Sequence, residues 1–265
     1  MEPILNVKNL TIEYENENST IIANRAVSLE LYPNEITGII GYNASGKTTL
    51  LKACMGLLLK DSKITSGEIT FEGKDITESS DINFYEYQDS MKDIRGKDIA
   101  MIFQNPSSYF DPTMKISKQI YEALNSHSKV SFFDRKTKAI ELLEKFHVQD
   151  PKKVLNKYPI ELSGGTLQKI QIAMALLNKP KVLLADEPFS ALDEISTQEM
   201  IEIFKEYHNE YGMSILIVLH DLDIMKELCE NGYFMKDGVL SECYSIENMF
   251  DTSNTDIQEY IEMRE

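Results

Sequence analysis

The chain has 265 residues, 42% hydrophobic and 26% charged, the proportions of a soluble globular protein long enough to bury a substantial core. Lys and Arg number 27 against 43 Asp and Glu, a net charge of −16. This argues against nucleic acid as a partner and against a broadly basic membrane-facing surface, while leaving room for a local anion site built from backbone N–H groups.

No run approaches the ~20 apolar residues of a membrane span. The opening MEPILNVKNL lacks a secretory pattern. Cys54, Cys229 and Cys243 are too far apart for a zinc motif and too few for a disulfide framework, so reduced thiols in the cytoplasm are expected.

Alternating apolar residues predict strands over 4–7, 11–14 and 26–31. The apolar run 35–40 reads as a buried parallel strand. A glycine-containing loop over 41–46 then leads into a helix over 48–59, with Leu50, Leu51, Cys54 and Leu57 on one face. From about 105 to 180 the pattern turns helical. Ala139, Leu142, Leu143 and Phe146 recur at helical spacing, as do Leu167, Ile170, Met174 and Leu177. Alternation then returns. A buried strand over 182–185 precedes a helix with Met200, Ile203, Phe204 and Tyr207 inward, and a strand over 215–219 precedes a helix over 222–228. Strands alternating with helices imply an α/β fold with a parallel sheet covered on both faces. The expected organisation is one domain over 1–245, a helical subdomain inserted at about 105–180, and a short polar helical tail over 246–265.

The segment GYNASGKT, residues 41–48, fits G-x-x-x-x-G-K-[ST] between a predicted strand and a predicted helix. Gly41 and Gly46 let the loop fold back so that successive N–H groups converge on an anion. Lys47 is suited to the β and γ phosphates, and the Thr48 hydroxyl to Mg²⁺. The apolar strand KVLLADE, 181–187, ends in two carboxylates. Asp186 suits magnesium, and Glu187 points elsewhere and can polarise an attacking water. In LSGGTLQ, 162–168, Ser163 is a candidate N-cap, and Gly164 and Gly165 make a second phosphate-sized nest.

These segments, with Gln104, Asp186-Glu187-Pro188, Ser190-Ala191-Leu192-Asp193 and His220-Asp221, occur in the order found in ATP-binding cassette (ABC) ATPases, and the chain resembles that family over roughly residues 4–244. The resemblance implies a P-loop NTPase (RecA-like) core with an N-terminal antiparallel β subdomain and an inserted α-helical subdomain. It implies two cassettes facing head to tail, each ATP lying between the phosphate loop of one and the signature turn of the other. Residues 41–49, including Asn43, Ala44, Ser45 and Thr49, then bind phosphate, and Tyr14 stacks on adenine unless it is an ordinary strand tyrosine. Thr48, Gln104 and Asp186 attend Mg²⁺. Ser163, Gly164, Gly165 and Gln168 touch the other cassette's ATP. Glu187 is the general base, His220 contacts the γ-phosphate, and Asp193 communicates across the dimer. Lys169, where the family often has Arg, keeps the charge but not the bidentate geometry.

The stretch Ile94-Arg-Gly-Lys97, Ile99 to Pro106 and Phe110-Asp-Pro112 resembles the dipeptide, oligopeptide and nickel importer ATPases. This implies an ATP-hydrolysing subunit at the cytoplasmic face of the cell membrane. Its partners would be a second cassette (a paralogue or a copy of this chain), two permease subunits and an extracytoplasmic substrate-binding protein. Segment 105–111 is expected to dock on the permease. The rival readings are a cassette for phosphonate, lipid or drug transport, a soluble ABC ATPase outside transport, and a regulatory subunit without turnover.

Overall fold

Two sheets divide the work of the chain. The computed structural model describes all residues except 17–18, 60, 79–83, 127–130, 132 and 265. Among the described residues, the first sheet is antiparallel, in the order Ser19–Leu31, Leu5–Asn16, Ser62–Phe71 and Lys74–Asp75. Leu5 pairs with Leu31 and Val7 with Leu29. These side chains, with Leu10, Ile12 and Val27, form its buried face, as the two-residue period requires. The expected strands at 4–7 and 11–14 are one strand. The register shifts between Val7 and Ile12 mark an irregularity, and Asn9 adopts φ 48 there. The break in alternation is therefore a bulge rather than a turn.

The second sheet runs Val239–Leu240, Asn231–Lys236, Ile36–Gly41, Ser214–Val218, Val182–Asp186 and Ile99–Ile102, with Tyr244–Ser245 also paired to Asn231–Lys236. The pairings from Asn231–Lys236 through Ile99–Ile102 are all parallel. Ile36–Gly41, Val182–Asp186 and Ser214–Val218 are buried along their whole lengths, because both faces are covered. Their carboxyl ends lie along one edge, where α/β sheets bind ligands.

Between Ile99–Ile102 and Val182–Asp186 the described elements are helical: Pro106–Tyr109, Ile116–Ser126, Arg135–Lys145, Pro151–Val154, a 3₁₀ turn Pro159–Glu161, and Gly164–Leu176. Phe110, Ile116, Ile120, Leu143, Val148 and Ile170 form an apolar cluster here, distinct from the two that sandwich the parallel sheet.

Two expectations need correction. The helix after the phosphate loop is Lys47–Cys54 and stops well short of residue 59, because Gly56 turns left-handed at φ 62. The described part of the expected tail, 246–264, is not polar throughout. It forms the helices Ile246–Phe250 and Thr255–Glu262, whose Met249, Ile257, Tyr260 and Ile261 sit in the main core. The apolar positions fall at i, i+3 and i+4 among acidic neighbours, so the average polarity of the segment conceals a buried stripe. Ile257→Ala is therefore expected to lower the unfolding free energy by about 2–5 kcal/mol in urea titrations. Met263→Ala, at a site 64% exposed, should change it by less than about 0.5 kcal/mol.

Candidate active site

The site begins where the buried strand Ile36–Gly41 meets the sheet edge. A Cβ on Gly41, at φ 151, would lie 2.0 Å from the Met235 carbonyl oxygen, and one on Gly46, at φ 106, would lie 2.3 Å from that of Ala23. Glycine is what lets the loop pass that close to both sheets. Helix Lys47–Cys54 begins after Gly46 with no side-chain cap and no acidic residue in its first turn, so its leading N–H groups are available to an anion. Lys47 is buried and curls back over the loop, donating to the carbonyls of Gly41 (2.9 Å) and Tyr42 (2.6 Å). Burial lowers its pKa, opposed by the charges of Glu187 and Asp186.

Asp186 ends its strand 2% exposed, and its Oδ2 accepts from the Thr48 hydroxyl at 2.8 Å. Its Oδ1 is buried without a partner, and burial raises the carboxyl pKa, with the Thr48 hydrogen bond working against it. An unpaired carboxylate oxygen beside a hydroxyl is the oxygen donor set of a hard divalent cation, so the residues present fit Mg²⁺. Glu187 leaves the strand in a left-handed turn, φ 48, with its N–H bonded to the Val218 carbonyl. That strained conformation aims its carboxylate away from Asp186 and into the cavity. Its Oε1 lies 2.5 Å from His220 Nε2. The hydrogen bond with His220 holds the Glu187 carboxyl below its ordinary range, with Gln104 and Lys47 acting in the same sense against burial.

A cavity of about 880 Å³ joins these groups. It is lined by Tyr14, Asn43 to Thr49, Gln104, Glu187 and His220, while Asp186 reaches it through Thr48. The Tyr14 hydroxyl lies 3.1 Å from Thr49 Oγ1, which ties the antiparallel sheet to the phosphate-loop helix. Sequence reasoning missed six further lining residues: Ile21, Ile22, Ala23, Asp237, Gly238 and Arg264. Ile21 could have been found from hairpin pairing, since it sits opposite Tyr14. Nothing in the local sequence marks Arg264.

The signature residues lie elsewhere. Ser163 caps helix Gly164–Leu176 by accepting the Thr166 N–H at 3.2 Å, and Ser163 and Gly164 are exposed outside the cavity. Gly165 packs against the Ala191 carbonyl. Gln168 departs from expectation: it is fully buried, its amide 3.3 Å from that of Gln171, so in this conformation it cannot touch a nucleotide on another chain. It lies on the inward side of the helix whose exposed first turn carries Ser163 and Gly164. The Gln171 amide in turn meets the backbone N–H and carbonyl of Phe103, at 3.1 and 3.2 Å. Asp193 is exposed and caps helix Glu194–Tyr211 by accepting the Ser196 N–H at 2.8 Å.

The family model for ABC transporters matches residues 24–190. The chain belongs to the ABC transporter ATPase family. This cassette is 36% identical over 251 residues to the dipeptide transport ATP-binding protein DppD of Bacillus subtilis, spanning 94% of this chain and 73% of that one. It is 34% identical over 239 residues to the metal-staphylopine import system ATP-binding protein CntD of Staphylococcus aureus, spanning 90% and 84%. Among solved structures it is similar to the ATP-binding cassette MJ0796 in a dimeric post-hydrolysis state bound to ADP and Pi. The TM-score there is 0.78 at 25% identity, covering 91% of this chain and 98% of that one. The ABC fold thus brings phosphate loop, acidic strand end and His220 together within one cassette and leaves its signature turn facing outward. Thr48→Val removes the hydroxyl bonded to Asp186. It is expected to weaken ATP binding at least about tenfold in the presence of Mg²⁺ and to leave metal-free binding nearly unchanged, as read by fluorescent-nucleotide titration.

Proposed function

We propose that this cassette hydrolyses ATP to drive an importer of peptides or metal complexes through a membrane permease. The observation that carries this reading is the division of the machinery. Lys47, Glu187, His220 and Gln104 line one cavity, while Ser163 and Gly164 present a second phosphate-sized nest to the outside. A second cassette, either a paralogue or a copy of this chain, supplies the nest that closes each site. Its approach covers the exposed capping turns at Ser163 and Asp193. The similarity to DppD and CntD supports peptides or metal complexes as the cargo class. It also supports an extracytoplasmic binding protein and two permease subunits as the rest of the system. Among the described residues no helix is long and apolar enough to cross a membrane. The similarity to transport and import ATP-binding proteins supports a place at the cytoplasmic face, acting through the permease.

The loop N–H groups and Lys47 hold the phosphates. Tyr14, with Ile21 and Ile22 beside it, offers an apolar wall for adenine. Thr48 and Asp186, joined by Gln104, would hold Mg²⁺, which when bound offsets the charge of the β and γ phosphates. With ATP present, a γ-phosphate oxygen competes with Glu187 for the His220 Nε2–H. Glu187 then accepts the proton of the attacking water. ATP drives the transition because it binds the closed pair of cassettes better than the open one, and hydrolysis removes that preference.

Movement reaches the permease by a short physical path. Gln171 on the signature helix grips Phe103, the residue before Gln104. Asn105 then caps helix Pro106–Tyr109 by accepting the Ser107 N–H at 3.0 Å. Tyr109, partly exposed and 5.9 Å from the Phe103 ring, lies in the docking segment 105–111. Glu187→Gln is expected to lower ATP turnover by about a hundredfold or more. ATP affinity should be kept, and an ATP-dependent pair of cassettes should accumulate in size-exclusion chromatography. Turnover near that of the unaltered protein would refute the general-base role.

A further inference from the structure

Helix Thr255–Glu262 and the residues just after it bring two side chains to His220 that belong to none of the sequence motifs. Tyr260 is 1% exposed, its ring edge-on to Tyr42 (5.4 Å) and Phe234 (5.5 Å). Its hydroxyl lies 3.5 Å from His220 Nδ1. Arg264 packs its guanidinium over the Tyr260 ring, 5.4 Å from the centroid. It lines the nucleotide cavity and places Nη2 3.4 Å from the same Nδ1. The helix that carries them is fixed by Ile257 in the core and by Asp256, which accepts from Lys236 at 2.6 Å.

These contacts select one form of the imidazole. A guanidinium only donates, and the Tyr260 hydroxyl has a proton to give. Nδ1 is therefore an acceptor. In a neutral imidazole the proton then resides on Nε2, the atom 2.5 Å from the Glu187 carboxylate, which only accepts. The opposite tautomer would set an N–H against the guanidinium and a lone pair against the carboxylate. Both sides of the ring thus favour the same arrangement, and that arrangement presents a donor to a phosphate oxygen.

We propose that Tyr260 and Arg264 are positioning residues for His220, holding its Nδ1 as an acceptor so that Nε2–H stays aimed at Glu187 and at the γ-phosphate of bound ATP. This rests on the ATPase reading above and extends the working site to the C-terminal helix. Through the Tyr260 ring against Tyr42, that helix also joins the phosphate loop to His220.

The test has one readout that needs no nucleotide. The chain has four histidines, so imidazole ¹⁵N NMR of the nucleotide-free protein, with His220→Gln to assign the signal, reports the tautomer of His220 directly. The unaltered protein should show a single Nε2–H form. A Tyr260→Phe/Arg264→Ala double variant, which keeps the buried ring, should show a mixture of tautomers. Its kcat for ATP should fall about tenfold with KM within about twofold, and Arg264→Lys, which also only donates, should keep the single Nε2–H form. An Nδ1–H form in the unaltered protein, or an unchanged imidazole spectrum in the double variant, would overturn the proposal. So would an altered tautomer with unchanged kcat. Absence of ATP turnover in the unaltered protein would instead count against the ATPase reading, with the NMR result still deciding how His220 is held.

Discussion

An acidic chain that must hold a triphosphate cannot rely on its overall field, because a net charge of −16 repels the ligand. Positive potential has to be concentrated locally, and the phosphate loop does this with backbone N–H groups, a helix start and one buried lysine. The arrangement works only if the loop is rigid. Gly41 presses against the Met235 carbonyl and Gly46 against that of Ala23, so the loop is clamped between the parallel sheet and the antiparallel one. Lys47 is held ready by two carbonyls of its own loop, interactions that a phosphate can replace without rearranging the backbone.

The remaining groups follow from sheet order. Ile36–Gly41, Ser214–Val218 and Val182–Asp186 are neighbours, so the residues after their carboxyl ends meet at one edge. At the end of Val182–Asp186, Asp186 reaches Thr48 and Glu187 reaches His220, which follows the neighbouring strand Ser214–Val218. The left-handed turn at Glu187 separates two adjacent carboxylates into two tasks: one buried beside Thr48, the other facing the cavity. In the nucleotide-free cassette the hydrogen bond between Glu187 and His220 occupies both partners at once. In the proposed cycle, arrival of a γ-phosphate would offer His220 a competing acceptor and free the carboxylate for water.

The parts of the site legible in the sequence are those whose chemistry is local. The loop 41–48 announces itself because the glycines, lysine and threonine act within one turn of chain. Asp186 and Glu187 are legible because an apolar strand ends on them. Gln104, Tyr14 and His220 needed the family resemblance, since each is a single residue brought in by a different element. What stayed hidden was non-local. Arg264 and Tyr260 lie more than 200 residues from the phosphate loop, in a segment whose acidic composition masks its buried stripe. Gln168 shows the opposite failure. Its place in a surface motif suggested exposure, while its position on the helix turns it inward toward Gln171. The helix after the loop was overextended because leucines at 57 to 59 continue its apolar pattern past the left-handed Gly56.

The central claim is that ATP is enclosed between unlike surfaces of two cassettes. The most direct measurement is a structure of the assembled transporter, or of its isolated cassette pair, with Mg²⁺ and a non-hydrolysable ATP analogue. The expected result places the γ-phosphate against Lys47 and His220 of this chain and against the Ser-Gly-Gly turn of the other cassette. A triphosphate fully enclosed by this chain alone, with every signature turn left in solvent, would contradict it.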